Sequence, residues 1–162
     1  MEDVAAACGV TKLIVYRHFE TKEDLYRAIL QRVFDRIGQE LQAGLATQST
    51  RGLGARTQLV VAREDPDGYT LLWRHAAHEP QFADYAADVR STSVEVVRQL
   101  LHFDSGDPVL DRWKAEVLFT WLVDATLAWL DTGSPGRDDD FLDHTTAGFR
   151  ALFDVWASPP AG

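Results

Sequence analysis

The chain has a single cysteine, Cys8, among its 162 residues, so no internal disulfide framework can staple it. Such sparse cysteine suits a reducing compartment. No run of about eighteen apolar residues occurs, and no charged-then-apolar leader opens the chain, so the expectation is a soluble, cytoplasmic protein that does not enter a membrane. Positive charge is also scarce. Sixteen Lys and Arg stand against 25 Asp and Glu, a net charge of −9. A field of that sign repels DNA at long range, so any nucleic-acid binding must come from a local patch. What the chain does have is 46% hydrophobic residues, with five Trp and eight Phe, ample for a core and against wholesale disorder.

Strand-like alternation is missing. Apolar residues recur at three- and four-residue spacing almost everywhere, so the predicted fold class is all-α. Residues 2–7 read as a short Ala-rich helix and residues 8–10 as a tight turn at Gly9; Thr11 caps a second short helix ending at His18. Thr21, with Asp24 three residues on, is a capping-box start for a long helix over 22–45. Along it Leu25, Ile29, Val33, Ile37, Leu41 and Leu45 form a row flanked by Tyr26, Leu30 and Phe34. "ATQSTRGLG", residues 46–54, reads as the loop dividing the chain into 1–45 and 46–162. Helices are then predicted over 55–63, 67–77, from Pro80 to about His102, over 108–131 and over 138–156.

Within "VLFTWLVDATLAWL", residues 117–130, apolar side chains occur on nearly every side. A helix apolar all round must be buried all round. Its own core can cover one face, and a second copy of the chain the other; the inference is a homodimer interface, set against a simple central core helix. The middle helices also concentrate rings: Tyr69, Trp73, Phe82, Tyr85, Trp113, Phe119 and Trp121. Together they suggest a pocket for an apolar or aromatic small molecule. Its candidate members are Tyr69, Trp73, His75, His78, Phe82, Tyr85, Trp113, Trp121 and Asp124, with Trp73, the two histidines and Asp124 as polar anchors.

The N-terminal stretch "TKLIVYRHFETKEDLY", residues 11–26, sets a basic, aromatic cluster into this acidic chain. A short helix, a glycine turn and a second short helix form a helix-turn-helix unit, whose second helix enters the DNA major groove. Val4, Val10, Val15 and Phe19 can supply its buried side, leaving Thr11, Lys12, Tyr16 and Arg17 to face outward. The basic cluster is local because the groove-facing helix alone needs it.

At these residues the chain resembles the tetracycline-repressor (TetR) family of bacterial transcription regulators. The resemblance is carried by the Ala-Ala-x-x-Gly-Val turn, by Tyr16-x-His18-Phe19 and by Lys22-Glu23-x-Leu25, and it covers residues 2–30. It implies that Thr11 and Lys12 meet phosphate or base edges and that Tyr16 directs its hydroxyl to a phosphate. Arg17 and His18 would lie near the backbone, and Lys22 would contact the next phosphate. Ile14, where the family often carries a hydroxyl, can touch a thymine methyl but donates no hydrogen bond. The family's reader has a further helix, expected before residue 2. The resemblance implies a homodimer on palindromic double-stranded DNA, most simply a repressor released by a small-molecule effector, with the long helix coupling sensor to reader. The alternative is a helical ligand-binding dimer that does not bind DNA in this form.

Other chemistry finds little support. His75, His78 and Glu79 lack a completing ligand, and Asp138-Asp139-Asp140 is explained by the helix dipole, so no metal and no cofactor are expected. His102, Asp104 and Ser105 share a turn without an oxyanion feature, and Cys8 lacks a cationic neighbour to activate it, so no enzymatic role is expected.

Overall fold

The computed structural model describes residues 18–47 and 51–157, and every regular element among them is helical. Helix α1, Lys22–Ala46, begins at the reciprocal cap expected of Thr21 and Asp24. The Asp24 N–H donates to Thr21 Oγ1 at 3.0 Å, and the Thr21 N–H donates to Asp24 Oδ2 at 3.0 Å. Its buried row is Leu30, Val33 and Ile37, while Leu25, Ile29 and Leu41 are only half-buried. Arg36 grips Glu64 through two bonds of 2.8 Å, and Arg32 meets Asp65 at 2.5 Å. Both pairs lie near the surface and add little stability, but they fix how α1 lies on the next helix.

Helix α2, Leu53–Glu64, starts at Gly52, whose φ of +66° only glycine adopts without strain. Seven of its residues are buried, so it forms the centre of the bundle. Asp65 and Pro66 then turn the chain, and the Asp65 carboxylate caps α3, Pro66–Thr70.

The helix expected over 67–77 is broken in kind. After α3 come a π-helical turn, Leu71–His75, and a 3-10 turn, Ala76–His78. The helix predicted to begin at Pro80 begins instead as α4, Ala83–Leu100, and stops short of His102. The physical reason is Phe82. It is 2% exposed and stacks on Tyr26 with centroids 4.1 Å apart, so the chain turns through residues 79–82 to bring that ring into the core before the helix can start.

Helix α5, Pro108–Thr132, is capped by Asp107, which accepts from the N–H groups of Val109 and Leu110. It packs against α4 on one side, α2 on another and α6, Asp138–Ala157, on a third. It therefore belongs to both apolar clusters: the main core, and a smaller one of Ala55, Leu59, Leu122 and Phe141. The near-uniform apolarity of residues 117–130 is largely used inside one chain. Trp113, half-exposed, and Asp124, exposed, mark its outward strip. Arg63 of α2 clamps α6 by a two-pronged bond to Asp138, which also accepts from the Trp129 indole N–H at 2.8 Å. No helix among the described residues is long and apolar enough to cross a membrane.

Candidate functional site

Between α1, α2, α4, α5 and α6 lies a cavity of about 320 Å³. Helix α1 supplies Phe34, Ile37, Gly38, Leu41 and Leu45; α4 supplies Thr92, Ser93, Val96, Val97 and Leu100. Leu118, Phe119 and Leu122 of α5 and Thr145, Thr146 and Phe149 of α6 complete the wall with the start of α2, where Thr57 and Gln58 are the polar members. Gly38 matters here because it sits within α1 where a larger side chain would take up cavity volume; a Cβ built there meets nothing within 4 Å. Among the described residues no lining side chain carries a charge.

The nine residues expected to form a pocket stand elsewhere; none of them lines this cavity. Tyr69 is fully buried behind it and donates its hydroxyl to Gln58 Oε1 at 2.8 Å. Burial pushes that phenol well above its ordinary pKa, so it stays neutral. Trp73 packs edge-on against Phe119 at 5.3 Å, and Arg90 covers the same ring at 5.7 Å. Arg90 is held in turn by Glu116 at 2.6 Å and by the Thr120 hydroxyl. These groups position the Phe119 wall without reaching the cavity. Phe82 is consumed by its stack on Tyr26, and Tyr85 donates to Gln31 at the surface. Trp121 backs Phe149 at 6.4 Å, and Trp113 lies against Trp156 at 5.5 Å. His75, His78 and Asp124 are exposed, and His78 Nδ1 sits 3.1 Å from the Arg74 carbonyl. Among the described residues no cluster of three His, Cys, Asp or Glu side chains could hold a metal.

The cavity wall was missed because most of it is aliphatic, and aliphatic side chains at helical spacing look the same whether they meet a neighbour or a void. One signal was available. Thr57-Gln58 interrupts an otherwise apolar face of α2, and Gly38 interrupts the apolar face of α1. Beside the cavity, sharing Gly52 and Thr146 with it, lies a second groove of mixed charge lined by Arg51, Arg56, Arg150, Asp143 and Asp154.

Of the residues expected to meet DNA, His18 is exposed just ahead of α1 and Lys22 is exposed at its first position. Thr11, Lys12, Ile14, Tyr16 and Arg17 lie outside the described residues, as do the first short helix, the turn and all of the second short helix before His18. Helix α1 thus runs unbroken from that N-terminal end to the cavity wall.

Residues 1–29 match the family described as bacterial regulatory proteins, tetR family. Over 154 residues, 90% of this chain and 69% of the relative, the sequence is 27% identical to the HTH-type transcriptional activator FasR of Mycolicibacterium smegmatis.

Proposed function

We propose that the chain is a bacterial regulatory protein of the tetR type, a transcription switch whose DNA affinity is set by a small molecule held in the cavity. It is a DNA-binding regulator rather than an enzyme. The observation that carries the proposal is α1. One helix bears Lys22 at its N-terminal end, with His18 just ahead of its cap, and five residues of the cavity wall along its length. A ligand that favours one seating of α1 over another changes how residues 1–29 are presented to DNA. It can do so only by binding one arrangement more tightly than the other.

In this reading residues 1–45 form the reader with its connector, and residues 46–162 form the sensing and pairing region. Thr11, Lys12, Ile14, Tyr16, Arg17, His18 and Lys22 meet a palindromic operator, and two copies pair through α5 and α6. Pairing is supported by the apolar side chains those helices leave outward: Val109 is 78% exposed and Val155 69%. Ligand-induced release of a repressor is the simplest working mode. The FasR relative is named an activator, which favours as second reading a regulator that recruits transcription while bound.

The test is a mobility-shift titration on the DNA flanking the protein's own gene, at several salt concentrations, with Lys12→Ala and Arg17→Ala alongside. Binding should weaken steeply with salt, and each substitution should weaken it further. Transcription in vitro then separates repressor from activator. Retained ligand binding without any DNA shift would instead favour a helical ligand-binding dimer that does not act on DNA.

A further inference from the structure

We infer that the ligand of the cavity is an uncharged amphiphile, an aliphatic body bearing one oxygen acceptor that seats on Thr57 and Gln58. This rests on the reading of the cavity as an effector site and narrows the class of molecule it takes.

The lining sets the charge. Every lining side chain among the described residues is uncharged. A carboxylate, phosphate or ammonium drawn inside would lose water and find hydrocarbon, a few hydroxyls and one amide but no counter-charge, and the cost of that exchange far exceeds what those hydroxyls and the amide return. The groove that shares Gly52 and Thr146 with the cavity offers three guanidiniums, but two carboxylates line it as well, so it is not a cradle of one sign.

Thr57 sets the polar group. It is 2% exposed, it lines the cavity, and its hydroxyl is buried without a hydrogen-bond partner among the described residues. A helical threonine ordinarily returns its hydroxyl to the carbonyl one turn back. Thr120, Thr126 and Thr132 do so here, to Glu116, Leu122 and Ala128 at 2.7–2.9 Å. Thr57 does not. Beside it, the carboxamide oxygen of Gln58 is engaged by Tyr69, a fully buried phenol that stays protonated and keeps donating. Gln58 also lines the cavity, and with its oxygen taken, its amide N–H groups are what it can offer a ligand. A hydroxyl and an amide at successive positions of the same wall can each donate, and the natural complement of either is a ketone, ester or alcohol oxygen. A cavity of about 320 Å³ lies at the small end of ligand pockets, which run to roughly 300–1,000 Å³, so the body is modest in size.

The test is calorimetric titration, with thermal unfolding in parallel, of the whole chain against four probes: 2-decanone, decanoate, decylammonium and butylbenzene. 2-Decanone should bind about tenfold or more tighter than either ion, a difference of about 1.4 kcal/mol. Thr57→Val keeps the shape and removes the hydroxyl. It should weaken 2-decanone about three- to tenfold, leave butylbenzene unchanged, and raise the melting temperature of the ligand-free protein. Gly38→Leu, which occupies the cavity from α1, should abolish binding of every probe. Decanoate binding more tightly than 2-decanone would overturn the inference, and so would a Thr57→Val protein that binds 2-decanone as well as the parent does. Binding of none of the four probes would overturn the effector-site reading itself.

Discussion

The ring-rich side of the bundle and its aliphatic side share helix α5 yet end in opposite states. On the first, Phe82 lies flat on Tyr26, with rings 5° from parallel, and Phe119 is held between Trp73 and Arg90. On the second, Ile37, Leu41, Val96 and Leu122 surround a space they do not close. Planar rings offer large faces and edges that match one another, so a cluster of them consumes its own surface. Branched aliphatic side chains and a glycine held on separate rigid helices cannot reach across to do the same. In this protein the densest aromatic cluster marks the packed side, and the recess lies where aliphatic side chains outnumber rings, with Phe119 as the border between the two.

The sharpest way to break that contrast is to truncate one residue on each side. Phe82→Ala should cost about 3–5 kcal/mol, because it removes a fully buried ring and leaves Tyr26 without its partner. Val96→Ala, already facing open volume, should cost no more than about 1 kcal/mol. Urea denaturation of the two variants compares them directly, and equal losses would mean that the aliphatic side is packed as tightly as the aromatic one.

An intermediate effect is expected where α6 is held as one wall of the recess. Asp138→Asn keeps the shape but removes the charge that Arg63 and the Trp129 N–H engage, and should cost about 1–2 kcal/mol at neutral pH. Its pH dependence has a definite sign. Arg63 first, and Trp129 after it, hold the Asp138 carboxyl below its usual pKa, so the unfolded chain takes up this proton first as pH falls. The stabilisation is complete above the unfolded carboxylate value of about 3.9 and is lost as pH drops through the lower folded value. The variant should therefore differ most from the parent at neutral pH and converge with it in acid. A constant difference between pH 7 and pH 3 would locate the effect elsewhere.

The smallest effect is a gain. Gly38→Ala adds one methyl to the middle of α1 with nothing within 4 Å of it, and should stabilise the protein by about 0.5–1 kcal/mol through helix propensity alone. Thermal unfolding would report it. A loss would show that the recess tolerates no intrusion from α1 even when it holds no ligand.

Local rules decided much of this protein from its sequence. Thr21 with Asp24, Asp65 with Pro66, and Asp107 with Pro108 each place a cap beside a helical period, and helices start there because the orphan N–H groups are met within a few residues. The N-terminal motif was likewise legible, since it is a matter of residue types at fixed short spacings, and residues 1–29 match the family. What short spacing could not decide was anything requiring two distant segments to meet. Phe82 delays its helix because Tyr26, 56 positions earlier, waits for its ring. Tyr69 and Trp73 fall behind the cavity rather than in it because Gln58 and Phe119 stand between. The cavity belongs to five helices at once. Its volume is what remains after their side chains have packed, a property of distances between elements that no single stretch of the chain contains.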